Sequence, residues 1–277
     1  MRSNTIDVRP LGPAVGAEIS GLDLAEPLAP PALATVKDAL AEHGVVFFRN
    51  LSLTENQHIA LARQFGEINV NRFFGHAEGY PEIALVVKEP NQTKNIGGGW
   101  HTDHSYDEIP ALGSMLYARE IPPRGGDTLF ASMYAAYDAL SDGLKRTLDG
   151  LRGVHSSRHV FGVKRGDLEG RIGNYDAATQ DATHPVVITH PESGKKALYV
   201  NPGFTVGFDG WTADESRPLL EYLYRHAARP EFTYRFQWRE GSLAFWDNRA
   251  TWHYALNDYQ GERRLLHRIT IDGCSLG

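Results

Sequence analysis

The stretch Trp100-His101-Thr102-Asp103 carries two side chains that commonly bind divalent metals, and a third such residue, His253, lies far along the chain. Residues i and i+2 of an extended segment point to the same side, so His101 and Asp103 can contact one ion. Two imidazoles and one carboxylate can occupy one face of an octahedron around Fe(II) and leave the other positions open. We therefore expect His101, Asp103 and His253 to form a metal site, with folding returning His253 from a distant strand.

Length and composition indicate a water-soluble globular protein of 277 residues. Such a chain can bury a sizeable core within one domain, and 42 % hydrophobic and 22 % charged residues are ordinary values. The formal charge of −6 and the lack of a Lys/Arg-rich run argue against binding to nucleic acid or to a membrane. The single cysteine, Cys274, excludes intrachain disulfides, and no apolar run could form a signal core or a membrane span. We therefore expect a cytoplasmic location.

Hydrophobic periodicity and turn residues predict many short strands and a few helices. The helices are expected over residues 30–43, 54–65, 132–151 and 214–228, with Gly44 as a stop and Thr54 as an N-cap. The strands are expected over residues 45–48, 82–87, 114–120, 126–130, 185–189, 197–200, 232–238, 242–246 and 265–271. This order predicts a β-rich α+β fold whose core is a double-stranded β-helix, or jelly roll, with helices packed on one face.

No repeat or linker divides the chain, so residues 1–277 are expected to form a single domain. Residues 158–183 are rich in glycine and charge and show little periodicity, which is typical of a lid or a binding loop. We therefore expect a lid-like insert there. The glycines of residues 94–99, just before the metal-binding stretch, either let the backbone approach a ligand or form a flexible connection.

The C-terminal segment from Arg263 to Ile271 has the alternation of a half-buried strand. Arg264 and Arg268 share one face of it, while apolar residues on the other face can pack under helices. Both arginines then point into the barrel, where a guanidinium needs an anion because a buried unpaired charge is costly. A dicarboxylate co-substrate beside the metal would supply that anion. Alternatively, one or both arginines form structural ion pairs, for example with Asp247 or Asp258.

These motifs together resemble the taurine dioxygenase and chlorophenoxyacetate dioxygenase (TauD/TfdA) family of Fe(II)- and 2-oxoglutarate-dependent oxygenases. The resemblance covers essentially the whole chain and rests on these segments: Trp100-His101-Thr102-Asp103, Gly125-Gly126-Asp127-Thr128, Trp246-Asp247-Asn248-Arg249, His253-Tyr254-Ala255 with Arg264 and Arg268, His76-Ala77-Glu78-Gly79 and His190-Pro191-Glu192-Ser193-Gly194.

The resemblance implies a jelly-roll core with iron held by His101, Asp103 and His253. It implies that Thr128 and Arg264 bind the distal carboxylate of 2-oxoglutarate. It also implies that Arg268 lies near the iron and pairs with the anionic group of the substrate or with the keto-acid end.

The chain departs from taurine dioxygenase at the substrate side. Asn71 and Phe74 stand where taurine dioxygenase has a His and a Tyr that contact taurine, and Ile96, Gly97 and Gly98 replace polar partners of the taurine amine. We therefore expect a less polar pocket, and a substrate that lacks an ammonium group. The residues expected to bind the substrate are Asn71, Phe74, His104, Phe161, Phe204 and Arg268.

The sequence thus predicts a dioxygenase that couples 2-oxoglutarate decarboxylation to hydroxylation of a small organic acid: a sulfonate, a sulfate ester, or an aryloxy or alkyl carboxylate. A true taurine dioxygenase is the alternative within the family. A jelly-roll metal-dependent hydrolase or isomerase, and a binding module without activity, are the alternatives outside it. The expected partners are a small-molecule acid and dioxygen, and the quaternary state, including a homo-oligomer, is left open.

Overall fold

The computed structural model describes residues 5–164, 166–168 and 170–276. In that part of the chain the strands are β1 (Asp7–Pro10), β2 (Ala17–Ser20), β3 (Val45–Phe48), β4 (Ile68–Asn69), β5 (His76–Ala77), β6 (Tyr80–Lys88), β7 (Gly113–Glu120), β8 (Thr128–Ser132), β9 (Arg152–Ser156), β10 (Asp181–Pro185), β11 (Val187–Thr189), β12 (Lys196–Leu198), β13 (Thr205–Phe208), β14 (Thr233–Phe236), β15 (Leu243–Asp247), β16 (Thr251–Ala255) and β17 (Arg264–Ile271). The helices are α1 (Pro30–His43), α2 (Glu55–Arg63), α3 (Met133–Asp138), α4 (Asp142–Leu148), α5 (Arg158–Phe161) and α6 (Ala213–Ala227). Short 3₁₀ turns occupy Gly166–Leu168, Tyr175–Ala177 and Pro230–Phe232. None of the described helices has the length and apolar character needed to cross a bilayer.

Two sheets packed against each other form the core of the fold. The larger sheet has the order β1-β2-β3-β15-β7-β17-β6-β5, with β4 added beside β17, and the smaller sheet has the order β14-β8-β16. Phe47 of the larger sheet stacks on Phe236 of the smaller sheet, with ring centroids 4.0 Å apart. The apolar residues between the sheets include Val45, Phe47, Leu116, Phe130, Phe236, Trp246 and Leu266. The predicted β-rich fold with a jelly-roll core is confirmed.

Helices α1 and α2 cover the outer face of the larger sheet. Their buried side chains, Val36, Leu40, Ile59 and Leu61 among them, form one cluster with Ile269 and Ile271 of β17. Leu266 of the same strand belongs instead to the cluster between the sheets. The alternation predicted for the C-terminal strand is therefore confirmed, and it turns Arg264 and Arg268 toward the interior of the barrel.

The ends of α1 and α2 follow the predicted signals. Gly44 ends α1 in the left-handed conformation at φ 72°, which glycine adopts without the strain of a Cβ. Thr54 caps α2 by accepting a hydrogen bond from the backbone N–H of Gln57, whose side chain in turn accepts from the Thr54 backbone.

Two predicted elements are interrupted in the structure. The single helix expected over residues 132–151 is broken into α3 and α4, because Ser141 adopts an extended conformation and its hydroxyl caps α4. The strand expected over residues 185–189 is divided between the end of β10 and β11.

In its described residues, the predicted insert 158–183 has α5 and two 3₁₀ turns as its regular structure before β10 begins at Asp181, so its last three residues belong to a strand. Residues 165 and 169 of this insert lie outside the described residues, as do residues 1–4 and 277 of the predicted domain.

Candidate metal centre

A cavity of about 720 Å³ opens between the two sheets, and the three predicted metal ligands line it. His101 and His253 face each other across an isolated antiparallel bridge. Their backbones exchange two hydrogen bonds, with N–O distances of 3.1 and 2.8 Å. Side chains opposite each other in such a pair emerge on the same side, which places the ring centroids 4.1 Å apart. This bridge is how the distant histidine returns to the metal-binding stretch.

Asp103 completes the cluster. Its carboxylate oxygens each lie 3.7 Å from one Nε2 atom, one from His101 and one from His253. That separation is too long for a hydrogen bond, and the three ligand atoms lie within 4.8 Å of one another, as around a shared ion. The cluster therefore fits a divalent metal with two nitrogen ligands and one oxygen ligand, the set typical of Fe(II) oxygenases.

The protonation of the three groups also suits a metal. Nδ1 of His101 donates to the carbonyl oxygen of Gly99 at 2.8 Å, which leaves the lone pair on Nε2. Burial, the largest cause, lowers the pKa of His253 well below its usual range. Burial on its own would raise the pKa of Asp103, but the nearby positive charge, that of Arg268 above all, outweighs it and holds that pKa well below its usual range. Neutral imidazoles and an ionised carboxylate are the forms that coordinate a metal.

The turn after β15 holds the metal-binding stretch in place. The hydroxyl of Thr102 donates to the backbone carbonyl of Asn248 at 2.6 Å, so Thr102 points away from the cavity. The side-chain oxygen of Asn248 accepts from the Asp103 backbone N–H and from the indole N–H of Trp246, at 3.4 and 2.9 Å. The indole ring of Trp246 also packs on His253, with ring centroids 4.6 Å apart. The sequence analysis used Trp246-Asp247-Asn248-Arg249 as a segment of the family resemblance, without assigning this role to Asn248.

A second group of potential ligands lies behind this turn and contains His190, Glu192 and Asp247. Both oxygens of Asp247 accept hydrogen bonds from Arg249, at 2.6 to 2.9 Å, and one also contacts Nε2 of His190 at 3.0 Å. Glu192 lies 2.8 Å from the same guanidinium. The guanidinium therefore fills the space that a cation would need, and the group is a structural network.

Arg264 lines one end of the cavity together with Thr128. Its Nε donates to the carbonyl oxygen of Gly126 at 3.0 Å, while its Nη2 is buried and has no partner among the described residues. Burial lowers the pKa of Arg264 to about 10, so the group remains charged at neutral pH. Trp238 donates to the hydroxyl of Thr128 at 2.9 Å and fixes it there. A buried cation with a free donor beside a hydroxyl fits the carboxylate of 2-oxoglutarate.

Arg268 lies at the metal end of the cavity. Its guanidinium is 5.0 Å from the ring centroid of Phe74, and its Nε has no partner among the described residues. Within the described part of the chain, neither this arginine nor Arg264 makes an ion pair with Asp247 or Asp258. Arg268 instead pairs with Asp103 through Nη1 at 3.5 Å, and the atoms left for a ligand are Nη2 of Arg264 and Nε of Arg268, which lack a partner among the described residues.

The residues predicted to bind the substrate fall into two groups. Phe74, Phe161 and Phe204 line the cavity. Asn71 and His104 are not among the described residues that line it. The side-chain oxygen of Asn71 instead accepts from the backbone N–H groups of residues 73 and 74, at 2.9 and 3.0 Å.

His104 lies in the turn that follows the metal-binding stretch, with φ 58°, and its Nδ1 contacts a carboxylate oxygen of Asp107 at 2.8 Å. The alternation of an extended strand does not extend to His104, because the chain turns from Asp103 onward. Sequence reasoning missed Tyr106, which lines the cavity three residues after Asp103. The signal that could have revealed it is this spacing, since a turn returns the third following residue to the same side.

Comparisons with known proteins agree with this geometry. The sequence profile of the taurine catabolism dioxygenase TauD, TfdA family matches residues 7–270. An alkylsulfatase of Acinetobacter baylyi is 35 % identical over 97 % of this chain and 85 % of that protein. An alpha-ketoglutarate-dependent sulfate ester dioxygenase of Pseudomonas putida is 32 % identical over 97 % of this chain and 90 % of that protein.

A solved structure of a taurine dioxygenase from Burkholderia xenovorans superposes with a TM-score of 0.83, at 40 % identity, over 97 % of this chain and 91 % of that one. The shared profile, the whole-length relatives and the His-Asp-His cluster decide between the classes considered from the sequence. The chain belongs to the TauD/TfdA family and is an Fe(II)- and 2-oxoglutarate-dependent dioxygenase.

Proposed function

We propose that this dioxygenase hydroxylates a small organic acid with an apolar body and no ammonium group: a sulfate ester, a sulfonate, or an aryloxy or alkyl carboxylate. The observation that carries this proposal is the charge of the cavity wall. Asp103 is the sole acidic side chain among the described residues that line the cavity, whereas Arg264 and Arg268 both line it. A substrate ammonium group would have only the metal-binding carboxylate as an ionic partner. We therefore expect taurine to be a poor substrate.

In this proposal His101, Asp103 and His253 hold Fe(II). Bound Fe(II) and 2-oxoglutarate supply the oxidation, in which the keto acid is decarboxylated to succinate and carbon dioxide and dioxygen provides the oxygen atom inserted into a C–H bond. The protein orients the substrate and excludes side reactions. Because the three protein ligands would occupy one face of the metal, its other coordination positions would stay open for 2-oxoglutarate and dioxygen.

Arg264 and Thr128 bind the distal carboxylate of 2-oxoglutarate. The support is Nη2 of Arg264, which is buried and has no partner in the described part of the chain, together with the hydroxyl of Thr128, which Trp238 holds in place. A guanidinium fork matches the two oxygens of a carboxylate. Arg264 and Arg268 are four residues apart on β17, so they reach different parts of the cavity.

Arg268 binds the anionic group of the substrate, and the aromatic side chains beside it hold the apolar body. Phe74 lies under the guanidinium, and Phe161 and Phe204 continue the same apolar cluster. Phe161 and Ile172 belong to the predicted insert 158–183. We propose that this insert covers the substrate, because its apolar side chains form part of the cavity wall.

The test is turnover of a matched panel: hexyl sulfate, hexanesulfonate, phenoxyacetate and taurine. Succinate release measures 2-oxoglutarate consumption, and product analysis shows whether that consumption is coupled to hydroxylation. Hydroxylation of a sulfate ester at the carbon that bears the ester oxygen yields an aldehyde and hydrogensulfate after the C–O bond breaks. We expect coupled turnover of at least one acid with an apolar tail. The proposal is wrong if taurine outcompetes every other acid of the panel.

A further inference from the structure

A buried hydroxyl without a protein partner lies in the wall of the cavity. Tyr106 is 2 % exposed, and its side chain lines the cavity. None of the described residues forms a hydrogen bond with its hydroxyl, and the oxygen keeps some access to the cavity. A hydroxyl in the wall of a cavity that lacks a protein partner favours a ligand or water as its acceptor.

The ring of Tyr106 is held rigidly within the aromatic wall. It packs edge-on against Phe204 and Phe161, with centroid distances of 4.8 and 5.9 Å. Phe161 also contacts Phe74, over which Arg268 lies. Tyr106 and Arg268 therefore belong to the same wall, the one assigned above to the substrate.

The electrostatics of the hydroxyl agree with this placement. Burial, followed by the carboxylates of Asp107 and Asp103, raises the pKa of Tyr106 above its ordinary value. The positive charges of Arg72 and then Arg268 partly offset this rise. Tyr106 therefore stays protonated at neutral pH and can donate to an anion held by Arg268.

We propose that Tyr106 is a specificity-determining residue, whose hydroxyl and the guanidinium of Arg268 together bind a headgroup with three terminal oxygens. A guanidinium fork takes two oxygens of an anion. That fork engages both oxygens of a carboxylate, whereas a sulfate ester or a sulfonate keeps a third oxygen that is free to accept from Tyr106. This inference rests on the proposed function and narrows it to acids with a sulfur headgroup.

The experiment compares the wild type with Tyr106→Phe on three acids of similar tail length: hexyl sulfate, hexanesulfonate and heptanoate. Dissociation constants are measured by titration calorimetry with Fe(II) and 2-oxoglutarate present and dioxygen excluded. A hydrogen bond to an anion is lost for the two sulfur acids, so their affinity should fall about 10-fold or more. The affinity for heptanoate and for 2-oxoglutarate should change by less than about 2-fold.

Tyr199→Phe is the matched control. Tyr199 is also 2 % exposed and its hydroxyl also lacks a partner, but that hydroxyl is sealed within the protein, away from the described cavity wall. This variant should bind all three acids like the wild type.

Unchanged affinities in Tyr106→Phe, or an equal loss for heptanoate, would overturn the assignment of the hydroxyl to a third headgroup oxygen. A wild-type protein that binds neither these three acids nor phenoxyacetate would refute the proposed function itself. The two failures are thus distinguished by the wild-type titrations.

Discussion

Nη1 of Arg268 lies 3.5 Å from each carboxylate oxygen of Asp103. One of the proposed metal ligands therefore anchors the cation that we assign to the substrate, and both side chains are buried. A substrate anion bound by Arg268 would consequently lie next to the metal. This ion pair connects the proposed metal ligands to the residue proposed to bind the substrate anion.

Replacing His101, Asp103 or His253 by Ala should abolish Fe(II) binding and turnover while leaving the fold largely intact, because the cluster borders an open cavity. Anaerobic equilibrium dialysis measures the bound iron, and circular dichroism checks the fold. An Asp103→Ala protein with normal succinate production would show that this carboxylate is not a ligand.

Arg264→Ala should weaken 2-oxoglutarate binding by about 10- to 150-fold, because a charge-assisted hydrogen bond contributes about 1.5–3 kcal/mol. Substrate affinity should change far less. Arg263→Ala is the control, since Arg263 precedes Arg264 on the chain but pairs with Glu89 and Glu120 at the surface. Equal 2-oxoglutarate affinity in both variants would mean that Arg264 does not bind this co-substrate.

Gly97→Ala should lower the affinity for Fe(II) by about 10-fold, which corresponds to about 1.4 kcal/mol. Gly97 has φ +78°, and an added Cβ would lie 3.3 Å from Cε1 of His101. The left-handed backbone strains any L side chain, and the new methyl would crowd the imidazole. Gly99→Ala is the matched control, because a Cβ there meets nothing within 4 Å. If both variants bind iron like the wild type, the loop does not position His101.

Asp247→Asn should destabilise the fold by about 3 kcal/mol, because it removes a buried partner of Arg249. Urea unfolding measures the change. Asp214→Asn should have almost no effect, since Asp214 pairs with Arg217 at the exposed surface. Similar unfolding free energies for the two variants would contradict a stabilising role for the network behind the metal centre.

The carboxylate of Asp247 also makes the stability of the fold depend on pH in acid. Burial on its own raises the pKa of Asp247, but the charge and hydrogen bonds of Arg249, with a further bond from His190, lower it to about 2. The pKa of this carboxyl in the unfolded chain is near the ordinary 3.8. Its contribution to the free energy of unfolding is therefore fully present above that pH and is lost as the pH falls through about 2. The loss amounts to about 2 kcal/mol. Unfolding measured between pH 5 and pH 2 should therefore be less pH-dependent in Asp247→Asn than in the wild type.

The features that the sequence by itself determined act over short distances along the chain. The capping box of α2 and the glycine stop of α1 depend on neighbours within a turn, and they were predicted correctly. The alternation of β17 was also predictable, because its period places Arg264 and Arg268 on one face whatever the partner strands are. The family resemblance likewise rested on short motifs.

Only the tertiary structure decided which side chains reach the cavity. Local parity could not place His104, since the chain turns after Asp103 and a turn erases the two-residue period. Tyr106 enters the wall for the same reason. Asn71 bonds to its own backbone neighbours, and nothing in its local sequence distinguishes that role from substrate contact. His253 meets His101 only because folding pairs two strands distant in sequence, and such long-range pairing depends on the packing of the whole core.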